Sequence, residues 1–144
     1  MTMLTDDAVP NNPFDKSPVE RAKSLEMLVR EHADDADENR RLHRSVAQAF
    51  AANGLYRLSA PKAFSGEEAD PLTQIETIEA ISYFDGSAGW NLMIGIESFG
   101  LSAAGCGACR HLIEDPMVIM CGSTAAVGRA EKEGDGYRIN GHWQ

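Results

Sequence analysis

The chain changes its hydrophobic period at Pro116. Before it, apolar residues recur at helical spacings; after it, Val118-Ile119-Met120 and Tyr137-Arg138-Ile139-Asn140-Gly141-His142-Trp143 read as strands. A lone hairpin cannot bury its own apolar face and is marginal in water. These strands are therefore expected to open a sheet whose other strands the sequence does not contain. The fold expected is mainly α: a flexible leader over 1–17, an amino-terminal helical bundle domain over 18–114, and the first strands of a truncated β-domain over 115–144. On this reading the 144 residues are the amino-terminal piece of a larger protein and are inactive alone.

The helices can be placed from their ends inward. Ser17-Pro18 supplies a capping residue followed by proline at the first helical position. Val19, Ala22, Leu25, Leu28, Val29, Ala33 and Ala36 then form one apolar stripe, predicting one long helix. A second carries Leu42, Val46, Ala49, Phe50 and Asn53, with Gly54 placed to end it in the left-handed conformation. Leu55 to Phe64 reads as a loop punctuated by Pro61. Asp70-Pro71 opens a third helix, with Leu72, Ile75, Ile78 and Ile81 expected inward and Glu76 and Glu79 outward. After Asp85-Gly86, Ser87 is the expected cap of a fourth helix. That helix is apolar nearly all round (Trp90, Leu92, Met93, Ile94, Ile96, Phe99, Leu101), which predicts burial on several sides or contact with a partner subunit. A short fifth helix is expected over Cys106 to Ile113. Glu133-Gly134-Asp135-Gly136 reads as a hairpin turn.

Composition removes several functions. With 43% hydrophobic and 24% charged residues the chain has the make-up of a globular protein. A net charge of −9 argues against a nucleic-acid groove, which needs a basic surface. Glu31, Asp34, Asp35, Asp37 and Glu38 crowd one stretch, more simply a solvated helix face than a docking patch. Met1 to Lys16 has neither the basic start nor the apolar run of a signal peptide. The apolar stretch from Ala88 to Leu101 is too short for a membrane span and is interrupted by Asn91, Glu97 and Ser98. Three cysteines, an odd number, argue against a secreted disulfide framework. A cytoplasmic protein is expected.

Spacing alone yields little chemistry. Cys106-Gly107-Ala108-Cys109 has redox-pair spacing but lacks the preceding strand that such motifs use, so small buried thiols are the better account. Adding His111 and Cys121 does not complete a zinc pattern, and no metal is expected. His32 and His43 are assigned to charged surfaces; His142 adjoins Trp143 on the last strand. The glycines lack the strand-to-helix setting of a phosphate loop.

Three stretches in order carry a resemblance. They are Gly54-Leu55-Tyr56-Arg57-Leu58-Ser59-Ala60-Pro61 with Phe64-Ser65-Gly66, then Asp85-Gly86-Ser87-Ala88-Gly89-Trp90, then Cys121-Gly122-Ser123-Thr124 with Gly136 to Trp143. From Pro18 to Gln144 the chain resembles the acyl-CoA dehydrogenase superfamily, near its two-component flavin-dependent monooxygenase branch. The resemblance implies a helical domain, a middle β-domain and a carboxy-terminal four-helix bundle, with FAD or FMN between the last two. It implies cofactor-binding roles for Ser123, Thr124 and Trp143, a homotetramer in the whole protein, and a flavin reductase partner if the reaction is a hydroxylation. Packing of the barrel is an equal account of Trp143.

Two positions depart from the pattern. Glu97 stands where several hydroxylases of the branch carry a histidine that poises the aromatic substrate, and Ala126 where proline is common. Glu97 is thus a candidate catalytic residue, a carboxylate in an apolar helix whose pKa burial would raise. Dehydrogenation of an acyl thioester and hydroxylation of an aromatic or heterocyclic substrate both stay open, with a slight preference for the dehydrogenase-like label. A helical interaction module without enzymatic activity is the competing class.

Overall fold

The computed structural model describes residues 13–103, 113–122 and 125–142. Six α-helices are described: α1 (Pro18–Lys23), α2 (Glu26–Glu31), α3 (Ala33–Asn39), α4 (Arg44–Ala52), α5 (Pro71–Ser82) and α6 (Gly86–Ala103). They precede one antiparallel hairpin, β1 (Gly128–Glu133) and β2 (Gly136–Gly141). The mainly helical expectation, with strands after the helices, holds. The fifth helix expected at Cys106 lies outside the described residues up to Ile113, whose side chain is buried.

The amino-terminal stripe forms three short helices, not one. Ser17 caps α1 in a reciprocal box: its hydroxyl accepts from the Glu20 N–H while the Glu20 carboxylate accepts from the Ser17 N–H. The break follows at once. The Ser24 hydroxyl donates to the Arg21 carbonyl at 2.6 Å, the acceptor that a continuous helix would offer to Leu25. The Leu25 N–H bonds Ala22 instead, tightening the turn. A second break at His32 separates α2 from α3. The stripe still faces inward at Ala22, Val29 and Ala36.

Helix α4 runs as expected, and Gly54 follows it at φ 67°. The segment expected as a loop is the centre of the core. Leu55–Arg57 and Lys62–Phe64 are single 3-10 turns, and Leu55, Tyr56, Leu58 and Ala60 are buried. Its backbone folds back on itself through bonds from Glu67 N to Arg57 O, Glu68 N to Ala60 O and Ala69 N to Leu58 O. Those bonds satisfy groups that burial would otherwise leave stranded.

Asp70 caps α5, accepting from the N–H groups of Leu72 at 3.0 Å and Thr73 at 3.1 Å and from the Thr73 hydroxyl. The inward face is shifted from the expected one. Thr77, Ala80 and Ile81 are buried and Ile78 half-buried, but Leu72 and Ile75 are 62% and 61% exposed. Apolar residues at helical spacing span more than one face here, and contact with α1 and α6 selects one of them. Hydrogen bonds from the Thr73 hydroxyl, then from its N–H, hold the Asp70 carboxyl below its ordinary range. A lowered folded-state value means that this stabilisation is present above the unfolded carboxylate range and is lost as pH falls through the folded one. Asp70→Asn keeps an acceptor but cannot titrate. It should flatten the acid limb of stability from about pH 5 downward, measured by urea unfolding at successive pH values.

The strands differ from expectation in one place. Val118-Ile119-Met120 is not paired as a strand; Val118 and Met120 pack against the helical core and Ile119 faces out. The hairpin turn is where it was expected, with Glu133 paired to Gly136 across Gly134 at φ 57°. Both strands are exposed along their whole length, so no face of the hairpin is covered by a described residue.

Candidate functional site

Helix α6 organises the site. Asp85 caps it, accepting from the Ala88 N–H at 2.6 Å, so the cap is Asp85 and not Ser87. An aspartate one residue before the helix reaches its third N–H, which the Ser87 side chain, already inside the first turn, cannot do. Ala88, Leu92, Ile96 and Phe99, spaced at four, four and three, are buried against the core. The other face is open: Trp90 is 62% and Leu101 79% exposed. The expectation of a helix enclosed on several sides is therefore not met within the described residues.

An open cleft of about 570 Å³ runs along this outer face, with Trp90, Ile94, Glu97, Ser98 and Leu101 on the helix and Cys121 and Gly122 opposite. The 121–122 segment lies close against α6: a Cβ on Gly122 would stand 3.3 Å from the Ser98 hydroxyl oxygen. Two contacts hold α6 from behind. The Tyr56 ring fills the space beside Gly95, where a Cβ would fall 2.2 Å from Cδ1. The Ser59 hydroxyl donates to the Ile96 carbonyl at 2.5 Å.

Arg57, for which spacing predicts no role, ties these parts together. Its guanidinium is buried and donates to the carbonyls of Phe64 at 2.8 Å, Ile113 at 2.8 Å and Asp115 at 2.5 Å. It also lies over the Phe99 ring, 4.7 Å from the centroid. One side chain therefore links the 55–69 segment, the chain leading into the cleft, and the buried face of α6. Burial pushes its pKa down, the Asp115 carboxylate partly opposing; a guanidinium stays protonated regardless. Arg21 does the same for α1, donating to both Glu67 oxygens at 2.6 and 2.7 Å and to the Asn53 carbonyl at 2.5 Å. The one available signal was a lone charge inside an apolar run, Leu55-Tyr56-Arg57-Leu58.

Of the candidate site residues, Glu97 is exposed in the cleft and has no hydrogen bond or ion pair to a described residue. Any desolvation of its carboxylate must come from whatever covers the cleft. Ser123, Thr124 and Trp143 lie outside the described residues, though Gly122, which precedes Ser123, lines the cleft. Cys106, Cys109 and His111 also lie outside; Cys121 is an exposed free thiol. His32 and His43 are not simple surface residues. Half-buried, their rings stack 3.8 Å apart, and His43 Nδ1 accepts the Ser45 N–H at the start of α4. Glu31, Asp34, Asp35, Asp37 and Glu38 are exposed, the solvated face expected. Among the described residues no three His, Cys, Asp or Glu are grouped to hold a metal, and no helix is long and apolar enough to cross a membrane.

Residues 21–107 match the family described as acyl-CoA dehydrogenase, N-terminal domain. The indole-3-acetate monooxygenase of Pseudomonas putida is 36% identical over 109 residues, covering 75% of this chain and 28% of that protein. The flavin-dependent monooxygenase oxygenase subunit HsaA of Rhodococcus jostii is 28% identical over 127 residues, 87% of this chain and 33% of that protein. The crystal structure of 3-HSA hydroxylase from Rhodococcus sp. RHA1 superposes with a TM-score of 0.76 at 26% identity, over 90% of this chain and 34% of that one. The chain thus spans about a third or less of the length of each.

Proposed function

Because the chain belongs to the acyl-CoA dehydrogenase N-terminal-domain family, we propose that it is the amino-terminal part of a flavin-dependent monooxygenase. It comprises a helical domain over 18–114 and the start of a middle β-domain over 115–144. The observation that carries this reading is the cleft: the exposed face of α6 meets the segment that runs directly into Ser123 and Thr124. The names of the relatives, flavin-dependent monooxygenases and hydroxylases, favour oxygen insertion over dehydrogenation.

The described residues fit one wall of a site for a flat ring. Trp90, Ile94 and Leu101 offer apolar surface, and Asn91, Ser98 and Ser102 supply polar groups along its edge. Ser123 and Thr124 would hold the flavin with hydroxyls and backbone N–H groups, and Trp143 would cover its ring. Reduced flavin, FAD or FMN, supplies the electrons with which dioxygen is split, one oxygen atom going to the substrate and the other to water. In this scheme α6 orients an aromatic or heterocyclic substrate and excludes water from it. A separate reductase would deliver the reduced flavin, and the whole protein would be a cytoplasmic homotetramer.

The test uses the full-length protein, supplied with chemically reduced FAD or FMN and labelled dioxygen. Incorporation of the label into indole or phenol probes is the expected result. Anaerobic bleaching of oxidised flavin by acyl thioesters, with no label incorporated, would establish dehydrogenation instead. Failure to bind any flavin would leave the interaction-module reading.

A further inference from the structure

We infer that Arg57 is a positioning residue for the flavin: by holding the chain at Ile113 and Asp115 it sets where the 118–122 segment lies on α6, and so where Ser123 and Thr124 are delivered. The inference rests on reading Ser123 and Thr124 as flavin ligands. The guanidinium bonds the carbonyls of Ile113 and Asp115, 56 and 58 positions along the chain, while covering the Phe99 ring on the buried face of α6. Asp115 then closes a tight turn. Its carbonyl also accepts the Val118 N–H at 3.1 Å, and its carboxylate accepts the Met117 N–H at 2.8 Å. Beyond the turn, Val118 and Met120 pack on the core and Gly122 lies against Ser98 of α6. Every second residue from Val118 to Gly122 is thus tied down, and Ser123 comes next.

Stability alone is a poor account of this arrangement. The hydrogen bonds that the guanidinium makes to described residues all go to main-chain carbonyls, and its buried Nε has no partner among them. A buried cation with a stranded donor stabilises a fold no better than a well-packed apolar side chain does. An apolar side chain cannot, however, fix carbonyls from two distant segments around one rigid, planar fork. Precision of that kind matters where a loop must present ligand groups, because a displacement of about 1 Å is enough to loosen a site. Arg57 itself is buried behind α6 and lies outside the cleft lining. It acts through the segment that it holds.

The experiment compares Arg57→Lys with Arg21→Lys in the full-length protein. Arg21 is an equally buried guanidinium, but its hydrogen bonds go to Asn53 and Glu67 and none to the 113–122 segment. Its variant therefore reports what lost stability does by itself. Affinity for FAD and for FMN is read by fluorescence titration well below the melting temperature of each variant. Arg57→Lys should weaken flavin binding roughly tenfold, and Arg21→Lys by less than about twofold. In the unsubstituted protein, flavin should slow amide exchange at Val118 and leave α4 unchanged, since a ligand that needs the segment in place stabilises it in return. Unchanged affinity in Arg57→Lys, or an equal loss in Arg21→Lys, would overturn the inference. So would flavin binding without protection of Val118, a result that decides the matter even where Arg57→Lys does not fold. Absence of flavin binding by the unsubstituted protein removes the flavin reading and the inference together. Flavin bound with the same affinity by both Arg57 forms removes the inference alone.

Discussion

Arg57→Ala should lower the unfolding free energy by about 4 kcal/mol, among the largest single-residue effects in the described part of the chain. Three carbonyls, those of Phe64, Ile113 and Asp115, lose their donor together. A buried acceptor left unsatisfied costs about 1–3 kcal/mol, and truncation also removes the cation from the Phe99 ring and opens a void. Arg57→Lys separates charge from geometry. An ammonium keeps the charge but concentrates its donors at one point, whereas the three carbonyls come from two segments far apart in the chain. Lysine should therefore recover less than half the loss. Urea unfolding of both variants checks this; a lysine variant as stable as the unsubstituted protein would show that charge alone suffices. Beyond stability, the 113–122 segment should loosen over α6, and amide exchange around Val118 should accelerate more than exchange within α4.

Gly95→Ala should cost about 2–4 kcal/mol, although alanine has the higher helix propensity by about 1 kcal/mol. The added methyl would lie 2.2 Å from Tyr56 Cδ1 and 2.6 Å from Cε1, inside any tolerable contact. Tyr56 cannot yield easily. It is buried and packs edge-on against Phe50 with centroids 5.9 Å apart. Burial also pushes its phenol well above the ordinary range. The remedy is to shorten the ring. Tyr56→Leu alone should destabilise, but combined with Gly95→Ala it should cost less than the sum of the two, a favourable coupling of at least ~1 kcal/mol. Additive losses in thermal melts would mean that α6 shifts as a whole instead of clashing with the ring.

The two sites share a cause. The 55–69 segment is the hub on which α4 and α6 pack, and it is made of turns instead of a long helix. Pro61 and the lack of a sustained period mark it in the sequence as a connector. Its burial depends on long-range bonds such as Arg57 to Ile113, and sequence spacing carries no information about them.

Local chemistry was legible where one residue acts on its near neighbours. Ser17 before Pro18, Asp70 before Pro71, Gly54 after α4 and Gly134 in the hairpin all do in the structure what their types and positions require. The order of helices before strands, and the family, were legible for the same reason: period and short motifs are properties of consecutive residues. Three features were not legible from apolar spacing. Ser24 broke the first helix because its hydroxyl took the carbonyl meant for Leu25. The face that α5 buries was chosen by its neighbours, leaving Leu72 and Ile75 outside. The cleft itself joins α6 to a segment more than twenty residues along the chain, held there by a buried guanidinium. The sequence alone determined the order of helices before strands and which residues can carry charge or fill a core. Which apolar face is covered, and which side chains meet across the cleft, was decided by tertiary packing, because burial is a property of surfaces brought together and not of the residues that bear them.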